Sequence, residues 1–497
     1  MYVNTAVLAA SLFSFIFLNS YAFALQQVEV SVPWLLKLVV SHSDDIARQR
    51  NSLSAESAPL LSIEAKLNPR FGATISHIED DNERSGSSSA VGKLSAQKAS
   101  IRLSKSFATG TKLSTEINAS VNEQELAVGT PPVSQINKSN ESGIAVELRQ
   151  SLLKDSFGYA HRRAVDSAAF AKLAKKNTVE ENIESYLEAL IDQYFNIWAA
   201  FNNLSSAEER FKREKRRKSI YDRQYKRGFI EKKDILQIDS AILSAEKNVS
   251  DAKQKILGLL IRLGTIVKMD LYKQYLSKKI AFKFSLEKTN DVQSLCNNNR
   301  IEIDSANSKA YTNRIQSFNN KLASISSNGK PDVYFAAKAS ANGIDEEAVE
   351  SFTEVSGFKH PQYFFTLGVD MIIGNTASKA EKLEALKNRS ENEILLAQEK
   401  ANLASDWLET CNALNMIAKK KQFITRKLDL DSQRIKLLDQ DFRLGKTDLS
   451  TLLQAEDILT NTKSSLASLS AQLYNTAWHL RKQSGQLRTY VNSALSR

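Results

Sequence analysis

From Ile235 the apolar positions step by three and four through Ile238, Ile242, Ala245, Val249, Ala252, Ile256 and Leu259 to Leu263, eight steps over 28 positions. A spacing of 3.5 residues is the seam of a coiled-coil helix. The seam is written twice. Seven of the nine equivalent positions from Leu452 to Leu480 are again apolar, and the glycine ahead of each seam keeps the same offset, Gly228 in "YKRGFIEKKDILQID" and Gly445 in "FRLGKTDLSTLLQAE" (445 − 228 = 217). Upstream, Ile183, Tyr186, Leu190, Tyr194, Ile197, Phe201 and Leu204 follow helical spacing, and no Pro or Gly occurs from Tyr159 to Arg227. This predicts one helix of nearly 70 residues, about 100 Å long at 1.5 Å per residue. Its counterpart starts after "IIGNTASKAEK", where Ser378 and Glu381 have capping-box spacing, and runs without glycine to Leu444. Each half therefore ends as a long helix, a glycine turn, and a heptad helix of about 35 residues running back.

Between the helices the period changes to two. In "TKLSTEINASV", Leu113, Thr115, Ile117, Ala119 and Val121 oppose Lys112, Ser114, Glu116, Asn118 and Ser120. Six candidate strands follow this rule: Arg70 to Glu79, Ser100 to Phe107, Thr111 to Val121, Gly143 to Leu153, Asp332 to Ser340 and Gln362 to Ile373. The same alternation describes a half-buried sheet in water. Roughly ten-residue strands joined by polar connections such as "DDNERSGSSSAVGK" and "NEQELAVGTPPVSQINKSNESG" suit a membrane barrel. So few strands cannot close a barrel alone, and lipid does not tolerate an open sheet edge, so such a chain has to oligomerise.

Composition narrows the class. Residues 1–24 contain no Asp, Glu, Lys or Arg, carry the apolar run Ala6 to Leu18 and end in Ala22-Phe23-Ala24, which reads as a secretory signal cut before Leu25. No later run approaches 18 apolar residues, so a membrane helix is not expected. Two cysteines, Cys296 and Cys411, are too few for a disulfide framework, and whether they pair is left open. The net charge of +11 is spread over the chain and, with export, argues against nucleic acid. The basic run "KREKRRK", Lys212 to Lys218, reads as a solvated helix face, with partner docking as the alternative. His42, His77, His161, His360 and His479 are scattered without metal spacing, and no serine sits in a nucleophile elbow. "GSSSAVGKL" (Gly86 to Leu94) has the wrong glycine spacing for a phosphate loop and Leu94 where a magnesium-binding hydroxyl would stand. No catalytic residue, cofactor or metal site is expected. Trp198, Trp407 and Trp478 fall on helical patterns as packing residues.

The expected fold is mainly α with β, long coiled-coil helices plus barrel strands, built from two internal repeats and closed by homotrimerisation. The divisions run 1–24 signal; 25–68 N-terminal segment and first half-length helix; 69–157 strands; 158–264 long helix, Gly turn and heptad helix; 265–330 linker and half-length helix; 331–374 strands; 375–485 second long helix, turn and heptad helix; and 486–497 tail. This order, with the turns "YKRGFIEKKDILQ" and "FRLGKTDLSTLLQ" and the junctions "LRQSLLKDSFG" and "LGVDMIIGNTASKAE", resembles the TolC family of outer-membrane efflux proteins across the mature chain.

The resemblance implies a homotrimer in which four strands per subunit close a twelve-stranded barrel in outer-membrane lipid while the helices form an α-barrel across the periplasm of a Gram-negative cell. It implies a passive exit duct for efflux or type I secretion, driven by an ABC or proton-driven inner-membrane pump and reached through a periplasmic adaptor of the membrane fusion class. The Gly turns would be the periplasmic tips, with Arg227, Gly228, Phe229, Ile230, Asp234, Leu444, Gly445, Lys446 and Thr447 docking the adaptor. Aperture candidates are Asp234, Phe442, Thr451 and Gln454. The chain departs from the family pattern in two places. Ser100 to Val121 is a hairpin beyond the family's strand count, which leaves open which four strands span the membrane. Phe442, Thr447, Thr451 and Gln454 also stand where gated members carry Tyr, Arg and two Asp. Phe442 has no hydroxyl to donate, so that gating link is absent or different. The competing reading is a periplasmic coiled-coil adaptor or scaffold without a pore.

Overall fold

The computed structural model describes residues 28–80, 91–126, 138–282, 296 and 305–495. The expected signal segment and most of the two polar connections lie outside the described residues. In chain order the first half contains β1 (Val28–Val30), α1 (Val32–His42), α2 (Asp44–Ala55), α3 (Ala58–Glu64), β2 (Arg70–Asp80), β3 (Val91–Ser106), β4 (Thr111–Leu126), β5 (Lys138–Ser151), α4 (Tyr159–Lys226) and α5 (Lys232–Val267). Then come α6 (Leu271–Leu276), β6 (Ile280–Phe282), α7 (Ala306–Asn328), β7 (Asp332–Asp345), α8 (Ala348–Ser356), β8 (Pro361–Asp370), α9 (Thr376–Arg443), α10 (Leu449–Gln483) and α11 (Arg488–Leu495). The chain divides into two units, one of residues 1–52, 178–306 and 399–497, the other of 53–177 and 307–398. Both α4 and α9 are unbroken helices of 68 residues and contribute to each unit.

The second unit holds one six-stranded sheet, ordered β2-β3-β4-β5-β7-β8 with every neighbour antiparallel. Its register sorts the side chains by polarity. Straight across the sheet, Phe71, Leu103, Thr115, Val146, Ala339 and Tyr363 form one row and Ala73, Ile101, Ile117, Ile144, Ala341 and Pro361 the next row of the same face. The rows between them face the other way: Arg70, Ser104, Ser114, Glu147, Lys338 and Phe364, then Gly72, Arg102, Glu116, Ala145, Ser340 and Gln362. On this polar face Arg102 reaches Glu116 at 2.6 Å and Arg149 reaches Asp332 at 2.8 Å, cross-strand pairs that neutralise charges on adjacent strands. Helix α8 lies on the apolar face, where the Ser351 hydroxyl donates to the Gly343 carbonyl at 2.9 Å. Its Val349 and Phe352 stay exposed. Within the same unit α7 runs along the start of α4, with Arg163 donating to Asn320 at 3.0 Å and Ser324 to the Ala160 carbonyl at 2.9 Å.

All six alternating stretches are strands of one sheet, because β3 and β4 pair along their length between β2 and β5. The expected N-terminal half-length helix is three pieces. Ser43 is extended (φ −72°, ψ 129°) and caps the end of α1, while Pro59, in the first turn of α3, removes an amide that a continuous helix needs.

In the first unit the heptad seam buries Ile238, Ala245, Ile256 and Leu263 on α5, and Leu452, Ala455, Leu459, Leu473 and Leu480 on α10. Short strands β1 and β6 pair in parallel, and the buried Tyr194 hydroxyl donates to the Val30 carbonyl at 3.1 Å. Trp407 packs on the cluster of Leu414, Leu473, Ala477 and Leu480, and Trp198 meets Tyr474 edge-on. Cys296 and Cys411 are joined in a disulfide.

Candidate functional site

Both glycine turns lie in the first unit and are built by the same hydrogen bonds. At the end of α4 the Gly228 amide donates to the Tyr225 carbonyl (2.9 Å) and the Phe229 amide to Gln224 (3.0 Å). At the end of α9 the Gly445 amide donates to Phe442 (3.0 Å) and Lys446 to Asp441 (2.8 Å). This double bond pattern closes a helix only when the residue after the cap is left-handed, and Gly228 and Gly445 sit at φ +78° and +71°. A side chain at either position would meet no atom within 4 Å, so backbone angle and not space demands glycine. Three residues on, each return helix has an acidic cap. Glu231 and Asp234 form a reciprocal capping box on α5, and the Asp448 carboxylate accepts from the Thr451 amide at 2.8 Å on α10. Glu231 and Asp448 keep the 217-residue offset of the glycines (448 − 231 = 217).

The two turns enclose one cleft of about 780 Å³, lined by Arg227, Phe229, Ile230, Asp234, Phe442, Leu444, Gly445 and Thr447 among the residues expected at the tips. Gly228, Lys446, Thr451 and Gln454 are outside it. Phe229 and Leu444 are 74% and 68% exposed, large apolar side chains that a turn presented only to water would not favour. Of the aperture candidates, Asp234 and Phe442 line this cleft and Thr451 and Gln454 do not. Asp234 accepts from the Glu231 amide at 2.9 Å. Phe442 lies flat on buried Tyr221, ring centroids 4.9 Å apart and planes 9° apart. Gln454 is exposed on α10. Sequence reading passed over Tyr221, Glu231 and Asp448, although the repeated offset of the two caps was there to find.

Behind the turns Arg217 of the basic run is buried and Arg213 half-buried, both on ion pairs within the chain, which corrects the solvated-face reading and the docking alternative for these two. Glu456 on α10 is fully buried and receives Arg213 Nη2 at 2.9 Å and Arg217 Nη2 at 2.6 Å, both from α4. Arg217 also meets Glu214 at 3.0 Å and Asp439 of α9 at 3.4 Å. Burial alone would raise the Glu456 carboxyl, but the Arg213 hydrogen bonds and the Arg217 charge outweigh it and hold the group below the usual carboxylate range. Lys212, Lys215 and Arg216 remain exposed.

A second buried carboxylate behaves oppositely. Burial pushes Glu184 on α4 up to about 7, helped by Glu181 and opposed by Arg488 and Lys482. The native state then keeps a proton that the unfolded chain releases, so stability falls as pH rises from about 4.5 to about 7 and stays lowered above that. Glu184→Gln is expected to gain about 2 kcal/mol at pH 8, after discounting for the two neighbouring cations, and nothing near pH 4. Denaturant titrations of both proteins across that range check it; equal gains at both pH values would refute the assignment.

No protein-family model matches the sequence, and no curated protein matches it significantly. Solved structures do match. The Campylobacter jejuni CmeC outer membrane channel aligns with a TM-score of 0.66 at 13% identity, covering 93% of this chain and 89% of that one. The outer membrane protein VceC of Vibrio cholerae aligns at 0.65 and 10% identity, covering 91% and 96%. The open state of the Neisseria gonorrhoeae MtrE outer membrane channel aligns at 0.60 and 13%, covering 91% and 88%. At such identities the likeness speaks for architecture: this protein has the fold of the TolC-like outer-membrane channels.

Proposed function

We propose that the protein is the outer-membrane exit duct of a tripartite efflux or type I secretion system. It acts as a homotrimer, takes no cofactor, performs no catalysis, and draws its energy from an inner-membrane pump through a periplasmic adaptor. The observation that carries this reading is the sheet, whose six strands turn the apolar rows of Phe71 and Ala73 to one face and the mostly polar rows of Arg70 and Gly72 to the other. Strands β2 and β8 each have one edge unpaired in the single chain. Lipid accepts the apolar face but not the open edges, so sister subunits complete the cylinder. The polar face becomes the wall of a water-filled lumen, which selects weakly and leaves the choice of drug, metal ion or polypeptide to the pump. The decisive test is purification from outer-membrane fractions followed by planar-bilayer recording. Detergent-dependent trimers with single-channel conductance are expected, and a water-soluble monomer that conducts nothing would overturn the reading.

In this reading the cleft between the turns is where the hairpin of the adaptor docks, on Phe229 and Leu444. Gly228→Pro and Gly445→Pro cannot reach the left-handed angles of the turns, and proline also removes the amide that closes each helix. Each is expected to lower adaptor affinity at least tenfold in a pull-down or calorimetric titration while trimers form normally. Unchanged adaptor binding in both variants would remove the turns from the docking site.

A further inference from the structure

We infer that all six strands cross the membrane, so that three chains close a barrel of eighteen strands instead of twelve. The inference rests on the trimeric duct reading and says what kind of pore that duct has. Strands β3 and β4 are not an appendage beyond the sheet. Residues Arg70 to Asp80 of β2 pair one for one with Ser104 to Leu94 of β3, so the two strands occupy the same slab. Strand β4 pairs in turn with β5 from Thr111 opposite Gln150 to Glu123 opposite Lys138. The apolar rows of Phe71 and Ala73 run on across them, with Ile101, Leu103 and Ile117 exposed by 48%, 51% and 42%. A pair of strands held above the lipid would have no reason to keep that face apolar.

The geometry of closure agrees. A line straight across the sheet from Arg70, the first residue of β2, meets β3 at Ser104, two residues before its end at Ser106. It meets β4 at Ser114, three past Thr111, and β5 at Glu147, four before Ser151. It meets β7 at Lys338, six past Asp332, and β8 at Phe364, six before Asp370. The strand ends thus step by about one residue per strand, which with roughly 3.3 Å per residue and 4.8 Å between strands is a tilt of roughly 35–40°, the tilt of membrane barrels. Because the strand number is even, β2 and β8 run antiparallel, and the free edge of β8 in one copy can pair with the free edge of β2 in the next. At this tilt eighteen strands give a backbone radius of roughly 18 Å, against roughly 12 Å for twelve. The wider lumen suits bulky, folded or polymeric cargo.

The test is electron microscopy of the full-length protein in lipid nanodiscs, with native mass spectrometry to count chains. Three chains and a backbone ring of about 36 Å diameter are expected. Excising Val91–Leu126 leaves β2 and β5 antiparallel and connected, and should give trimers with a ring of about 24 Å. If that variant fails to assemble, two point variants decide. Ile117→Lys, on the apolar face of β4, should cut the yield of membrane-inserted trimers at least tenfold, while Asn118→Lys on the polar face leaves it unchanged. Wild-type trimers with a twelve-stranded ring and β3–β4 cleavable by added protease would overturn the inference and keep the duct. A twelve-stranded dimer would do the same. Monomers without conductance would instead remove the duct reading itself.

Discussion

Glu456→Gln is expected to destabilise the helical unit by about 3–5 kcal/mol, the usual result of removing one partner from a buried ion network. The neutral amide keeps the shape but leaves Arg213 and Arg217 facing each other in a site where Glu456 had no exposure at all. Arg217 retains Glu214 and Asp439 and Arg213 retains Glu209, so the damage concentrates on the link between α4 and α10. If uncompensated charge is the cause, adding Arg213→Met should recover a large part of the loss, and a double-mutant cycle would show strong coupling. The pH dependence gives an independent check. Because the folded carboxyl sits below its ordinary value, its contribution is present above about 4.5 and is lost as pH falls through the lowered value. Wild type should therefore lose stability in acid more steeply than Glu456→Gln. Parallel acid limbs, or a loss under 1 kcal/mol, would mean the network is solvated in the assembled protein.

Removing the disulfide is the other large effect. Cys296 and Cys411 lie 115 residues apart, and in the chain-entropy picture a loop of that size costs the unfolded state about 5 kcal/mol of freedom when closed. Cys411→Ser should lower the denaturation midpoint accordingly, and reduction of wild type should match the variant without adding to it. The bond ties residue 296 to α9 beside the cluster of Leu414, Leu473, Ala477 and Leu480. Cys411→Ala, which keeps a small apolar side chain there, should lose almost the same amount, separating tether from packing. Identical stability of reduced and oxidised protein would show that the segment is already held by other contacts.

Long helices were legible because their signal is redundant. The stretch Tyr159 to Arg227 offers neither proline nor glycine, and α4 ends one residue before that stretch does. The six strands were legible for a similar reason: alternation over ten residues leaves little choice of face. Short elements carry no such redundancy. Strands β1 and β6 are three residues each and exist because distant segments meet, so nothing local announces them. The amphipathic α8 was missed because a nine-residue helix between two strands has no reason to form until the sheet supplies the surface it covers.

The tips divide in the same way. Glycines at a constant offset, followed by acidic caps, specify two identical turns from local physics alone, since left-handed backbone and helix capping are properties of a few neighbouring residues. Bringing Phe442 onto Tyr221, and Arg213 and Arg217 onto Glu456, required the helices to pack, because those partners are more than 200 positions apart. The basic run looked like a solvated face for that reason: charge is visible in a sequence, but the carboxylate that buries it is not. The amino-acid order determined which stretches are rods, which are ribbons and where the chain reverses, since period, glycine and capping act over a turn or two of backbone. Only the tertiary structure decided that the additional hairpin lies inside the sheet and that two arginines of the run point inward, because pairing and burial depend on neighbours that the chain supplies from far away.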